Sequence, residues 1–217
     1  MFMKPMLMTR YEKPFDDENY IFEPIIDGHR LQLSFMSSKT KLYTRHFNEV
    51  TRQYPELHNV PLREPADVVL DGEVAYVNPH TGAIEFDTLQ KRFRLKKEPS
   101  IRDAKRINPV EFFVFDILYY NGVDLRETPL LERKRLLDAI LEDNLYYKKM
   151  LFVEREGMAL FDLVKRSDLE GVACKRKDST YAEGRGDNWL KVKNDEYGVL
   201  PMTEMRNEVS NAEQKSC

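Results

Sequence analysis

Short apolar runs recur along this chain and predict a mixed α+β fold. Residues 20–22 are continuously apolar and residues 31–35 alternate, so they predict two strands on either side of a tight turn. Gly28 in that turn permits either a positive φ or a close approach of the backbone to another group. Taken without further context, this segment is a hairpin in which Asp27 and Arg30 form a surface ion pair.

The remaining pattern predicts further strands, with helices between them. Strands are expected at residues 41–45, 67–77, 112–120, 152–154, 172–175 and 189–193. Helices are expected at residues 48–54, 87–93, 128–142 and 158–165. Asn121-Gly122 predicts a turn and residues 179–188 predict a Gly-rich loop.

Composition narrows the class of protein. The chain has 217 residues, and its 41% hydrophobic content, with 12 Phe and 11 Tyr, is enough for a sizeable core. The net charge of −3 means that a nucleic-acid partner would need a local basic surface. Two cysteines, no leader and no membrane-spanning run predict a soluble, monomeric protein of the reducing cytoplasm.

Several charged residues lie on predicted strands, where alternation places them in pairs. Asp71 and Glu73 share one face of a strand, and Lys191 and Lys193 share one face of another. Each pair fits a solvated strand face. Each also fits a site at which a cation offsets the carboxylates or an anion offsets the lysines.

Three other features each have two interpretations. The basic residues between 91 and 97 form either a solvated face or a phosphate-contacting surface. Arg45, at the end of a strand, and Glu170, before another, fit either exposed surface or a ligand site. Cys174 lies within an apolar strand and is expected to be a packed, unreactive thiol.

Five segments, in this order, resemble the motifs of one enzyme family. They are Asp27-Gly28-His29-Arg30, Asp71-Gly72-Glu73, the run from Phe115 to Leu125, Glu170-Gly171 with Lys175, and Trp189-Leu190-Lys191-Val192-Lys193. Together they resemble the adenylation domain of ATP-dependent DNA ligases of the small bacterial or phage type. The resemblance implies an ATP-grasp-like nucleotidyltransferase fold, with antiparallel sheets flanked by helices and ATP between them.

The resemblance also implies roles for individual residues, with ATP and Mg²⁺ (or Mn²⁺) as cofactors and nicked duplex DNA as partner. Glu23 would contact the adenine edge, Phe115 would stack on the purine, and Arg30 with Glu73 would lie at the ribose. Lys191 and Lys193 would hold the α-phosphate. Glu73 and Glu170 would hold the metal, Arg45 would contact the 5′-phosphate of the nick, and Phe86 would lie near the nick.

The first departure from the family is Ile25. It stands where the family has the lysine that attacks the α-phosphate of ATP, and it has no nucleophilic atom. Lys39 and Lys41 lie beyond the next turn, so neither replaces it. Self-adenylation is therefore expected to fail. ATP binding, and the sealing of a nick that is already adenylated, would not need that lysine as nucleophile.

The second departure is at the carboxyl end. Ligases continue into an OB-fold, but only 23 residues follow Asn194, too few for five strands. We expect an adenylation domain over residues 1–194 and a short polar tail over 195–217, frayed in its last 15 residues. The chain is then a DNA ligase by descent with impaired activity, or a non-catalytic module that binds nucleotide or nicked DNA. The run from Phe115 to Leu125 disfavours an RNA ligase or a capping-type transferase.

Overall fold

A computed structural model describes residues 1–198 of the chain, and the predicted polar tail beyond residue 198 lies outside the described residues. Four α-helices pack on two β-sheets, which confirms the predicted α+β class. The strands are β1 (Met6–Tyr11), β2 (Asp17–Ile25), β3 (His29–Met36), β4 (Lys39–Thr44), β5 (Val68–Ala75), β6 (Glu111–Tyr120), β7 (Val123–Asp124), β8 (Tyr147–Lys149), β9 (Val153–Arg155), β10 (Gly171–Arg176) and β11 (Gly184–Lys193). The helices are α1 (Phe86–Phe93), α2 (Glu98–Ile107), α3 (Leu130–Ile140) and α4 (Gly157–Arg166).

The two sheets are antiparallel apart from two strand pairings. The first sheet has the order β1-β11-β10-β2-β9, and β1 runs parallel to β11. The second has the order β4-β3-β5-β6-β7, and β8 adds to β6 in parallel. Within residues 1–198 neither sheet closes into a barrel.

The turn at Gly28 joins the two sheets. Strand β2 pairs with β10 and β9 in the first sheet, whereas β3 pairs with β4 and β5 in the second. The hairpin interpretation of this segment was therefore wrong, although both strands form where the sequence predicted them. The chain crosses from one sheet to the other at residues 26–28.

Alternating side chains give the sheets three apolar layers. The layer between the sheets includes Ile21 and Trp189 from the first sheet and Val69 and Phe115 from the second. The outer face of the second sheet packs on α1 and α3, and the outer face of the first packs on α4. Strands that are buried on both faces read as continuous apolar runs, which is the pattern of β6.

Several local predictions need correction. Helix α2 was not predicted, the segment predicted as helix at 48–54 forms only a 3₁₀ turn at Thr51–Gln53, and β11 begins within the predicted loop. Arg92, from the basic run, is buried and pairs with Glu56 at 2.8 Å.

Cys174 is a packed thiol as expected, and burial raises its pKa to about 12. Within residues 1–198, no helix is long and apolar enough to cross a membrane.

Candidate functional site

An open cavity of about 530 Å³ lies where the chain crosses between the sheets, and we call it the cleft. It is lined by the turn at residues 26–28, by the adjoining ends of β2 and β3, and by residues from β1, β5, α1 and β11. Six of the residues that the sequence singled out line it: Ile25, Arg30, Arg45, Glu73, Glu170 and Lys191. The fold thus brings together residues that are up to 166 positions apart in the chain, as Ile25 and Lys191 are.

A smaller cavity of about 60 Å³ continues inward from the cleft, and we call it the inner cavity. Ile25, Arg30 and Glu73 border both spaces. The inner cavity adds four functional candidates, of which the sequence analysis had assigned a role only to the first two: Glu23, Phe115, Lys175 and Trp189.

Strand register explains why these side chains face the same space. Ala173 of β10 lies between Glu23 of β2 and Lys191 of β11, and Gly171 lies opposite Ile25 one row further along. Residues in register, or two apart, share a sheet face. Ile25 therefore presents its hydrocarbon side chain on the face of the first sheet that also carries Glu23 and Lys191.

Among the described residues, Lys191 is the lysine whose side chain lines the cleft. Its Nζ donates to Glu170 Oε1 at 2.5 Å, and both side chains are partly buried. The opposite charges of the two side chains offset each other. An anionic ligand and a cation would have to separate the two partners to use them both.

Arg30 does not pair with Asp27, which corrects the sequence interpretation. Its guanidinium contacts both carboxylate oxygens of Asp71, at 3.1 and 2.7 Å, and also donates to Met6 O and Tyr181 Oη. Burial opposes the charge of Arg30, but Asp71 outweighs it, so the pKa of Arg30 is raised. Asp27 instead accepts a hydrogen bond from Tyr197 Oη at 2.7 Å.

Glu73 is a carboxylate of the cleft that has no ion-pair partner among the described residues. It lies directly opposite Arg30 in the sheet, but the guanidinium is engaged by Asp71, and Glu73 has no ion pair within residues 1–198. Burial, reinforced by Asp71 and Glu170 and opposed by Arg30, raises the pKa of Glu73 to about 8. A cation or a hydroxyl donor in the cleft would stabilise its ionised form.

The carboxylates suit a metal only in part. No group of three or more His, Cys, Asp or Glu side chains in the described part of the chain is placed to hold a metal ion. Glu73 and Glu170 nevertheless line the same cleft. Mg²⁺ is commonly bound through one or two carboxylates together with substrate phosphates and water, so this pair fits Mg²⁺ only alongside a phosphate ligand.

The raised pKa of Glu73 predicts a pH-dependent stability. Between the ordinary glutamate pKa and about 8, the folded protein keeps a proton that the unfolded chain releases, so stability falls as pH rises across this interval. Because the side chain borders the open cleft, we expect a loss of only about 2 kcal/mol. Urea unfolding in EDTA at several pH values should show that Glu73→Gln removes this part of the pH dependence. Equal pH profiles for both proteins would contradict the prediction.

Glu23 and Phe115 border the inner cavity, but both already contact lysine side chains. Burial disfavours the Glu23 carboxylate, but Lys134 and Lys175 outweigh that effect and lower its pKa. Lys175 Nζ lies 2.6 Å from Glu23 Oε2 and 4.3 Å from the centre of the Phe115 ring. A purine stacked on that ring face would therefore have to displace Lys175.

Trp189 borders the inner cavity together with Phe115. Its side chain is buried, and its Nε1 is enclosed without a hydrogen-bond partner within the described residues. Two aromatic side chains at one cavity suit the faces of a planar heterocycle such as a nucleobase.

Two predicted site residues lie outside both cavities. Lys193 is exposed at the end of β11, and Phe86 packs half-buried against His29, with ring centres 5.5 Å apart. Arg45 lies at the rim of the cleft and is exposed. The roles assigned to these three residues by resemblance remain predictions.

The sequence analysis did not identify Lys134, Lys175 and Tyr181 as site residues. Lys134 comes from α3 and was read as scaffold, and Tyr181 was placed in a loop, but it donates to Asp71 at 2.5 Å. Of these three residues, only Lys175 could have been predicted from the sequence to lie in a buried ion pair. It stands within an apolar strand next to Cys174, and a buried lysine needs a buried anion.

Comparison with known proteins decides the family. The family profile described as ATP dependent DNA ligase domain matches residues 5–193. This chain belongs to that family. The DNA ligase-like protein LigB from the SPbeta prophage of Bacillus subtilis is 39% identical over 204 residues, which cover 94% of this chain and 72% of that protein.

Longer ligases match over only part of their length. A probable DNA ligase of Dictyoglomus turgidum is 30% identical over 214 residues, 92% of this chain but 36% of that protein. Among solved structures, a mycobacterial DNA ligase D complexed with ATP and MES is 28% identical with a TM-score of 0.69, over 88% of this chain and 60% of that one. Chlorella virus DNA ligase-adenylate, at 18% identity and a TM-score of 0.58, shares the fold.

Proposed function

We propose that this member of the DNA ligase family binds an adenine nucleotide and nicked duplex DNA, and that it does not adenylate itself. In this proposal residues 1–194 form the adenylation domain. One observation carries the proposal. Side chains from each of the five motifs line the cleft or its inner cavity, and Ile25, at the position that the resemblance assigns to the nucleophile, lines both.

In this proposal the cleft and the inner cavity bind different parts of the nucleotide. The inner cavity, with the rings of Phe115 and Trp189, would take the base, and Glu73 and Arg30 at the junction would face the sugar. Lys191 and Glu170 would face the phosphates and their cation. The solved ligase D that resembles this chain is described as complexed with ATP, which supports this choice of ligand.

The chemistry that remains is electrostatic. Bound Mg²⁺ would neutralise phosphate charge, and Lys191 would donate to the phosphate that it faces. The side chain of Ile25 has neither a lone pair nor a proton to exchange, so no bond to phosphorus can form there. When a nick that already carries AMP is sealed, the 3′-hydroxyl loses its proton to water and bonds to the 5′-phosphate while the bond to AMP breaks and AMP leaves. No nucleophile of the protein takes part, and we propose that this step is retained.

The test compares α-³²P-ATP labelling of the unmodified chain with that of Ile25→Lys in the presence of Mg²⁺. We expect label on the Ile25→Lys variant and none on the unmodified chain, because the variant places an amine on the wall of the cleft that Lys191 also lines. Ile107→Lys is the matched control, because it makes the same substitution at an exposed position that lines neither cavity. It should remain unlabelled.

A second assay separates ligase from binding module. A nick carrying a 5′-adenylate is incubated with the unmodified chain and with Lys191→Ala. Sealing that depends on Lys191 supports the retained step. Nucleotide binding without sealing would instead favour a non-catalytic module. Label on the unmodified chain would overturn the proposal, since another residue would then act as the nucleophile.

A further inference from the structure

An exposed aromatic ring, that of Phe47, lies on the turn that follows β4, two residues after Arg45, which lines the cleft. The side chain of Phe47 is 62% exposed, and its φ of +64° lies in the left-handed region. A bulky residue rarely adopts this conformation, and the conformation persists only where the surroundings enforce it. Neither the exposure nor the strain helps the chain to fold.

Hydrogen bonds to one residue hold this turn in place. Phe47 N donates to Thr44 O at 2.9 Å, and Thr44 N donates to Asn48 O at 2.9 Å. Thr44 Oγ1 also accepts from Asn48 N at 3.2 Å. The ring therefore projects from a closed turn and keeps its direction without a ligand, and this reduces the entropy lost when it binds one.

The ring is supported on its inner side only. It stacks on Tyr43, with centres 5.4 Å apart and planes 27° apart, and it meets Phe2 at 4.8 Å. Tyr43 is buried, so this support is anchored in the second sheet. The opposite side of the Phe47 ring is open to a planar partner.

The charge beside the ring indicates which partner fits. Arg45 lies two residues before Phe47, lines the rim of the cleft and is exposed. Its Nε contacts His46 Nε2 at 3.0 Å, and it forms no ion pair with a carboxylate within residues 1–198. An unpaired arginine next to an open ring suits a phosphate followed by a nucleobase.

We propose that Phe47 is a wedge that enters the base stack of nicked DNA while Arg45 contacts a neighbouring phosphate. This inference rests on the proposed function, because it assumes that nicked DNA lies across the cleft. Apolar side chains that insert between base pairs must open the stack. A nick is the step at which one strand no longer restrains that opening, so the wedge would favour nicked over intact duplex.

The experiment measures binding of labelled nicked and intact duplexes of the same sequence by fluorescence anisotropy. Phe47→Gly removes the ring, and glycine accepts the positive φ, so the fold should be retained. We expect this variant to bind nicked duplex about tenfold more weakly, with a much smaller change for intact duplex. Phe47→Tyr should restore the preference, and the fluorescence of 2-aminopurine beside the nick should rise when the unmodified chain binds but not when Phe47→Gly binds.

Tyr11→Ala is the control, because it removes an exposed ring that lines neither cavity. It should leave the preference for the nick largely intact. If Phe47→Gly binds the nicked duplex within about twofold of the unmodified chain, the wedge is overturned and the proposed function stands. Equal losses for both duplexes also overturn it. If the unmodified chain binds neither duplex, DNA binding in the proposed function fails, and the wedge fails with it.

Discussion

Replacing Gly28 by alanine is expected to destabilise the protein by about 3 kcal/mol and to abolish nucleotide binding. A Cβ at this position would lie 2.2 Å from Val74 O and 3.1 Å from Glu73 Cγ. The carbonyl belongs to the backbone of β5 and cannot move aside as a side chain could. The crossing between the sheets would have to shift, and it would carry Ile25 and Arg30 out of position.

Urea unfolding gives the stability, and titration with a fluorescent ATP analogue gives the binding. Gly186→Ala is the matched control, because a Cβ there would meet no atom within 4 Å. Its stability should change by less than about 0.5 kcal/mol. A Gly28→Ala variant as stable as this control would show that the two sheets are not held as closely as the structure places them.

Arg133→Met is expected to destabilise the protein by about 3–5 kcal/mol. Arg133 and Asp116 are both fully buried, and two hydrogen bonds of 2.8 Å join them. Arg133 also donates to Ser179 O and Thr128 O, and so it connects α3 to the segments before and after it in the fold. Methionine fills a similar volume but leaves the Asp116 carboxylate uncompensated in the core.

The measurement is again urea unfolding, with two comparisons. Adding Asp116→Leu to Arg133→Met should recover much of the loss, because the uncompensated charge is then absent. Arg126→Met breaks a pair with Asp124 that is exposed on both sides, and it should cost only about 0–1 kcal/mol. Similar losses from the buried and the exposed pair would contradict the argument from burial.

Because Asp116 follows Phe115 on β6, the Arg133→Met variant also bears on the site. We expect it to weaken nucleotide binding even at urea concentrations where it remains folded, since the purine-stacking candidate loses its fixed neighbour. Nucleotide affinity equal to that of the unmodified chain would show that the inner cavity tolerates this loss.

The sequence by itself determined the class of fold and most of the elements. Alternation, apolar runs and turn residues are local signals, and they located β2 to β6 and helices α1, α3 and α4. Six of the residues to which the family resemblance assigned a role line the cleft, and those roles remain predictions. Alternation also placed Lys191 correctly on the face opposite Leu190, because a strand has a fixed period of two.

The tertiary structure decided which of several possible partners each charged residue takes. Arg30 is three residues from Asp27 but pairs with Asp71, because β3 and β5 are neighbours while the turn at Gly28 leads to another sheet. In the sequence, nothing distinguishes Arg92 from the other basic residues of its run. In the fold it is buried beside Glu56. The sequence also left two reasons open for Gly28, and the distance to Val74 O selects close approach.

The physical reason is the range of the interactions. Backbone periodicity and turn preference act between residues close in sequence, so they can be read from the chain. The ion pairs of Glu23 with Lys134 and Lys175, and of Lys191 with Glu170, depend on strand register and sheet packing, which bring distant segments together. In the same way, Phe47 became a candidate only when the structure showed its φ, its exposure and its place beside the cleft.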